Sequence, residues 1–424
     1  MGELPTLRLF RRSIAQSCNG ASVVTVRFAL PPAAFCALLL VFAGCGGGGG
    51  DGGDQPRDGG DEATPALGSD AGEQDATADL GFPALATRNT TRVAGADPIV
   101  DAASVAQAVF PSRDDDTRPR ALTLVDSGDW RVAISAAQLM SAPLRAPLLF
   151  TADRELPLVT ERALGRMIPT GAKEAGGAQV VGVGAAAVAE GFKTTKVEGA
   201  DHAALAQAID RLHSAAAGEP SRAVVVASSE QPAFSMPAAG WAAKSGDPVL
   251  WVTREAVPAA TRAAIGARKR PRIYVLGPER AISKKVLDQL SKLGRTQRVS
   301  GADPVANAIA FARFSDGSFG WNVADPGHGL VFLNAQRPLD AAAAAPLSAS
   351  GTYGPQLLVA AANELPAQLQ EYLLDIQPGY DPDPVRGVYN HGWMIGDESA
   401  IAVDVQARID MLLEIQPVGG SDGA

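Results

Sequence analysis

Three six-residue segments carry the residues best placed to do chemistry: Arg92-Val93-Ala94-Gly95-Ala96-Asp97, Lys196-Val197-Glu198-Gly199-Ala200-Asp201 and Arg298-Val299-Ser300-Gly301-Ala302-Asp303. Their glycines are 104 and 102 residues apart, so a cation, a glycine and a carboxylate recur in one order at a near-constant interval. A guanidinium or ammonium group forms charge-assisted hydrogen bonds with phosphate and carboxylate, and a threefold set would suit a polymer bearing such groups. The same pattern has an internal use: an Asp at a turn accepts from nearby backbone N–H groups, and a paired cation ties the turn to its module. Arg92, Asp97, Lys196, Asp201, Arg298 and Asp303 are therefore candidates both for ligand contact and for a structural role.

Little else in the chain points to catalysis. His202, His213, His328 and His391 fall at unrelated positions and show no metal-binding spacing. The three cysteines, Cys18, Cys36 and Cys45, all precede the main body, which excludes a thiolate metal site or a cysteine nucleophile there. Ser127 follows a strand, but no Gly-x-Ser-x-Gly elbow surrounds it, and its counterparts are Ser228 and Ala335. Gly182-Val183-Gly184-Ala185-Ala186-Ala187 has the form of a dinucleotide-binding loop, yet the counterparts are Leu276-Gly277-Pro278 and Ile395-Gly396-Asp397. A phosphate cradle does not interchange with Pro278-Glu279, so these glycines are expected to serve the turn out of a strand. No catalytic residue, metal or cofactor is expected. The densest basic run, Arg268-Lys269-Arg270-Pro271-Arg272, is expected to be a solvated loop before a strand.

The elements that position these residues repeat with them. Apolar strands end at Val125, Val226 and Leu333, and the next residues, Asp126, Ala227 and Asn334, each precede a proline by 21 positions (Pro147, Pro248 and Pro355). Each proline opens another apolar strand, and an Ala-rich helical stretch lies between. A third strand ends in glycine in every copy, followed in copies two and three by an amphipathic helix. Strand and helix alternate throughout, which predicts an α/β chain of three tandem modules with mainly parallel sheets and helices on their faces. Their expected bounds are residues 89–191, 192–295 and 296–416, with a tail at 417–424. The third is lengthened by insertions near residues 315–327 and 377–391. With 46 % hydrophobic but only 5 % aromatic residues, the cores must be built largely from Ala, Val and Leu.

The N-terminus is of another character. Arg8, Arg11, Arg12 and Arg27 precede an apolar run at residues 28–42, which is too short for a membrane span and has the form of a secretory signal. The run ends Phe42-Ala43-Gly44-Cys45, which resembles a lipobox and makes Cys45 the expected lipidated residue. Residues 1–44 are then the signal, and the Gly- and Asp-rich residues 45–88 a flexible tether. Beyond residue 85 there are 32 basic and 36 acidic residues, a balance that does not suit a nucleic-acid binder.

Over residues 90–414 the three blocks resemble the cell wall-binding repeat 2 family. Its opening motif is matched at Arg92/Gly95/Asp97, Lys196/Gly199/Asp201 and Arg298/Gly301/Asp303. Ser127-Gly128-Asp129 matches its second element in copy one, and Ala281-Ile282-Ser283 its closing signature in copy two. The Arg-Tyr pair that follows the family's Asp is replaced by Pro98-Ile99, His202-Ala203 and Pro304-Val305. The resemblance implies Rossmann-like modules packed about a pseudo-threefold axis and non-covalent binding to an anionic wall polymer. With the lipid anchor, the expected protein is exported, held on the outer face of the cytoplasmic membrane and non-enzymatic. Two other classes fit a lipobox and an α/β body: a solute-binding lipoprotein of a transporter, with two lobes around one cleft, and an α/β enzyme acting on wall material.

Overall fold

The structure, a computed structural model, describes residues 84–418 apart from Ala94 and Pro382. Cys45, the residues expected to form a secretory signal, those up to 83 expected to form a tether, and residues 419–424 lie outside the described residues. No helix among the described residues is long and apolar enough to cross a membrane.

Fifteen strands are described, in chain order. They are β1 (Ala84–Ala86), β2 (Thr90–Val93), β3 (Leu122–Asp126), β4 (Leu148–Thr151), β5 (Val180–Val183), β6 (Thr194–Val197), β7 (Ala223–Ser228) and β8 (Val249–Val252). There follow β9 (Arg272–Leu276), β10 (Arg295–Val299), β11 (Gly329–Asn334), β12 (Gln356–Val359), β13 (Gly379–Tyr380), β14 (His391–Ile395) and β15 (Gln416–Pro417). They form three main sheets, ordered β4-β3-β5-β6, β8-β7-β9-β10 and β12-β11-β14-β2-β1, and a small β13-β15 pair. Every pairing in them is parallel except β1 with β2. The α/β fold with mainly parallel sheets is thus as the alternation of strand and helix predicts. All six residues of β7 and of β11 are buried, as expected for strands covered by helices on both faces.

The repeat and the sheets are one strand out of phase. The strand that opens each sequence copy completes the sheet of another: β6 pairs with β5, β10 with β9, and β2 with β14, some 300 residues away along the chain. Each sheet therefore includes a strand that another copy supplies, at the edge in the first two sheets and between β14 and β1 in the third.

The Ala-rich stretches explain the low aromatic content. Ala137–Met140, Ala238–Ser245 and Ala345–Ser348 each touch the other two. Their small residues permit a close approach; a Cβ on Gly240 would stand 2.7 Å from Ser348 Oγ. Polar bonds cross the same joints: Gln138 Nε2 donates to Gly246 O at 2.9 Å and Trp251 Nε1 to Ser135 Oγ at 2.8 Å. The few aromatics are concentrated where the insertion at residues 315–327 folds onto the second copy. There Phe319 stacks on Tyr274 at 3.5 Å between centroids, while Trp241 meets Phe319 and Trp321.

Candidate functional site

The repeated motif shapes the turns at the carboxyl ends of the sheets. Arg92, only 3 % exposed, donates through Nε to Gln406 Oε1, through Nη1 to the carbonyls of Gly396 and Asp397, and through Nη2 to Ile401 O. Burial holds its pKa below the usual arginine value, against the opposing charges of Glu398, Asp397 and Asp101. Arg298 repeats the arrangement with fewer bonds, donating to Gly277 O at 2.6 Å and Ile282 O at 2.8 Å. Lys196, at the matching place on β6, is exposed. The three cations thus stand in three separate sheets, and two of them are occupied by the carbonyls of a neighbouring turn.

The motif carboxylates are helix caps. Asp97 accepts from the N–H groups of Ile99 and Val100 at the start of Pro98–Val109, Asp201 from Ala204 N before His202–Ala217, and Asp303 from Ala306 N before Pro304–Arg313. The glycines between are required by close approach. A Cβ at Gly199 would lie 2.6 Å from Leu205 N, one at Gly95 would meet Asp101 and one at Gly301 the backbone of Ala306 and Asn307. Gly199→Ala is accordingly expected to cost about 1–3 kcal/mol of stability by overpacking, readable as a lower urea midpoint with an unchanged slope.

The glycines after β5, β9 and β14 have a structural purpose too. Gly184, Gly277 and Gly396 have φ of 60°, 119° and 90°, and each donates its N–H to the motif valine of the adjoining strand, Val197, Val299 or Val93. The dinucleotide-like loop of copy one is one instance of this threefold turn.

Beyond these turns lie two adjoining crevices. In an open parallel sheet, ligands bind outside the carboxyl ends where the strand order reverses. In the first sheet that point lies between β3 and β5, and a crevice of about 530 Å³ opens there. Asp126, Asp129, Glu198, Asp201 and His202 supply its polar lining, which includes no Lys or Arg. Burial, then the nearby Arg131, keeps the His202 pKa below its usual value, so the ring is neutral at pH 7. The second crevice, about 410 Å³, shares Gly128 with the first and brings Ser127 and Trp130 of copy one together with Asp97 and with Gln336 and Arg337 of copy three. The Arg131 guanidinium lies 5.2 Å from the Trp130 ring centre and ion-pairs with Asp129. Carboxylates beside an indole face accept hydrogen bonds from sugar hydroxyls while the ring packs on the sugar's apolar face. The same carboxylates disfavour phosphate in the first crevice.

Two features suggestive of hydrolysis resolve otherwise. Ser127 lines the second crevice, but none of the described histidines is hydrogen-bonded to it. Ser141 Oγ lies 2.7 Å from His213 Nε2, yet both side chains are buried and Ser141 also bonds Gln138 O, so the pair joins copies one and two. Sequence reasoning missed Arg337, which stands where copy one has its Ser-Gly-Asp element. It lies between two fully buried carboxylates, Asp101 at 2.8 Å and Asp340 at 2.7 Å. Its one signal was a basic residue interrupting that repeat position.

Residues 196–287 match the profile of cell wall binding domain 2 (CWB2). Similar solved structures include Cwp6 from Clostridium difficile (TM-score 0.60, 18 % identity, covering 76 % of this chain and 48 % of that one). Cwp8 from the same organism gives a TM-score of 0.59 and 18 % identity, over 81 % of this chain and 54 % of that one. The chain spans about half the length of each, and the likeness is one of fold. No curated protein matches in sequence. The profile begins at Lys196, the cation of the second motif, and runs through the turn of Gly277 and the Ala281-Ile282-Ser283 signature. The cell wall binding domain 2 match is thus confined to residues 196–287, the second copy of the repeat.

Proposed function

We propose that this protein is a non-enzymatic wall-binding lipoprotein, anchored through Cys45 and attached non-covalently to an anionic polymer of the cell wall by three CWB2-like modules. The observation that carries the reading is the CWB2 match at residues 196–287 within a repeat whose opening strands link the three sheets in a closed series. The mutual contact of three equivalent helical segments supports an arrangement about a pseudo-threefold axis. On this reading the crevices beside Trp130 receive hydroxyl-rich saccharide units, and the motif residues Arg92, Asp97, Arg298 and Asp303 shape the turns. Lys196, which is exposed, and the caps Asp97 and Asp201, which line the crevices, are the motif positions left for direct contact. Several weak contacts on one chain reinforce each other through effective concentration.

Full-length protein is expected to sediment with isolated Gram-positive walls and to lose this on acid stripping of secondary polymers. Retention by neither preparation would sink the wall-binding reading, and equal retention by both would move the ligand to peptidoglycan. In cells, Cys45→Ser is expected to shift the protein from the membrane fraction to the soluble extracytoplasmic fraction; an unchanged distribution would remove the lipid anchor from the proposal.

A further inference from the structure

The opposite end of the second sheet carries a feature of different chemistry. The loops that lead into β7, β9 and β10 enclose a cleft of about 840 Å³. Arg222, Lys269, Arg270, Arg272 and Arg295 line it, with Glu219 the one carboxylate of the lining among the described residues. In a body with more acidic than basic residues, such a concentration of one sign in a concavity sets up a local positive field.

The cleft is also built. Arg268, at its base, is buried in an ion pair with Asp210 at 2.6 Å and donates to Ser221 O and Ala264 O, which ties two of the loops together. Arg272 donates to Asp316 O and Ser318 Oγ at one rim. Arg222, Lys269, Arg270 and Arg295 are exposed, and among the described residues none of them forms an ion pair. Moreover, Arg272 and Arg295 are register partners on adjacent parallel strands. Like charges so placed repel unless an anion lies between them. Guanidinium forks spaced along a concave wall match successive phosphates better than they match a single small anion.

We propose that this cleft binds the phosphate groups of an anionic wall polymer, a charge-based contact separate from the acidic crevices at the carboxyl ends. It deepens the wall-binding reading and rests on it for the polymer's source, whereas its phosphate chemistry is testable alone. The test compares the full chain with the triple variant Lys269→Glu/Arg270→Glu/Arg295→Glu, which spares the buried Arg268. The probes are long-chain inorganic polyphosphate, phosphatidylglycerol vesicles, and walls before and after acid stripping. The wild type is expected to bind polyphosphate with an affinity that falls steeply with salt, and the variant to bind it roughly tenfold or more weakly with a shallower salt dependence. An unchanged thermal midpoint shows that the variant is folded. Equal polyphosphate binding by both proteins, or none by the wild type, would overturn the proposal even if walls retain the protein. Binding to vesicles but not polyphosphate would overturn it in favour of a lipid surface. Cleft-dependent polyphosphate binding without wall retention would leave the phosphate site standing and remove the wall reading instead.

Discussion

Replacing Arg92 with methionine is expected to lower the unfolding free energy by about 3–5 kcal/mol, measured by urea denaturation. The substitution keeps much of the side-chain volume but removes every donor, leaving the carbonyls of Gly396, Asp397 and Ile401 and the Gln406 amide oxygen without this partner in a buried place. It also loosens the join between β2 and β14, through which the first copy closes the last sheet. The repeat supplies internal controls. Arg298→Met removes two bonds from a half-buried site and should cost about 1–2 kcal/mol. Lys196→Met alters an exposed residue and should lie within about 0.5 kcal/mol of wild type. Three equal effects would contradict the structural role assigned to Arg92. A large loss of wall retention by a stable Lys196→Met protein would instead favour ligand contact at that motif.

The second large effect concerns Arg337 and its dependence on pH. Burial, then the charge of Asp340, pushes Asp101 up to about 9, and burial pushes Asp340 up to about 6 although Arg337 opposes it. Asp97 and Asp397 face the same cluster and raise both carboxyls further, while one Asp101 oxygen is buried without a hydrogen-bond partner among the described residues. An unfolded Asp loses its proton near pH 4, so between roughly pH 4 and 9 the folded chain holds more protons than the unfolded one. Stability from this cluster is therefore greatest in acid and falls as pH rises, by at most about 1.4 kcal/mol per pH unit for each proton. Asp101→Asn should flatten the decline between pH 6 and 9. Arg337→Met leaves two buried carboxyls without their cation and should cost about 3–5 kcal/mol at pH 7.5 but much less at pH 5, where both are neutral. A wild-type stability that rises across pH 6–9 would contradict this account.

Much of the fold was legible because its signals are local. Buried parallel strands read as short apolar runs, alanine runs read as helices, and the Gly-Ala-Asp triplets marked turns, whose carboxylates the structure shows capping three helices. Comparison among copies gave Gly184 its structural meaning, since Gly277 and Gly396 make the same turn without the rest of a dinucleotide loop. The site was less legible. Arg92 and Lys196 occupy one motif position, yet one is buried among carbonyls and the other meets solvent. The basic run at residues 268–272 divides in the same way: Arg268 is internal, and Lys269 and Arg270 line an open cleft. Residue type fixes what a side chain can donate or accept, whereas its surroundings determine whether that capacity is already used.

By itself, then, the sequence determined the period of the repeat, the order of strand and helix, and which residues turn and carry charge. Those properties depend on neighbours a few positions apart. Only the tertiary structure decided that each opening strand completes another copy's sheet, that Arg337 bridges Asp101 and Asp340, and that four cations with no ion pair among the described residues share one concavity. A strand's ladder of N–H and C=O groups accepts any parallel partner in register. Which partner it takes is settled by packing between residues as far apart as Arg92 and Gln406, which no local pattern records.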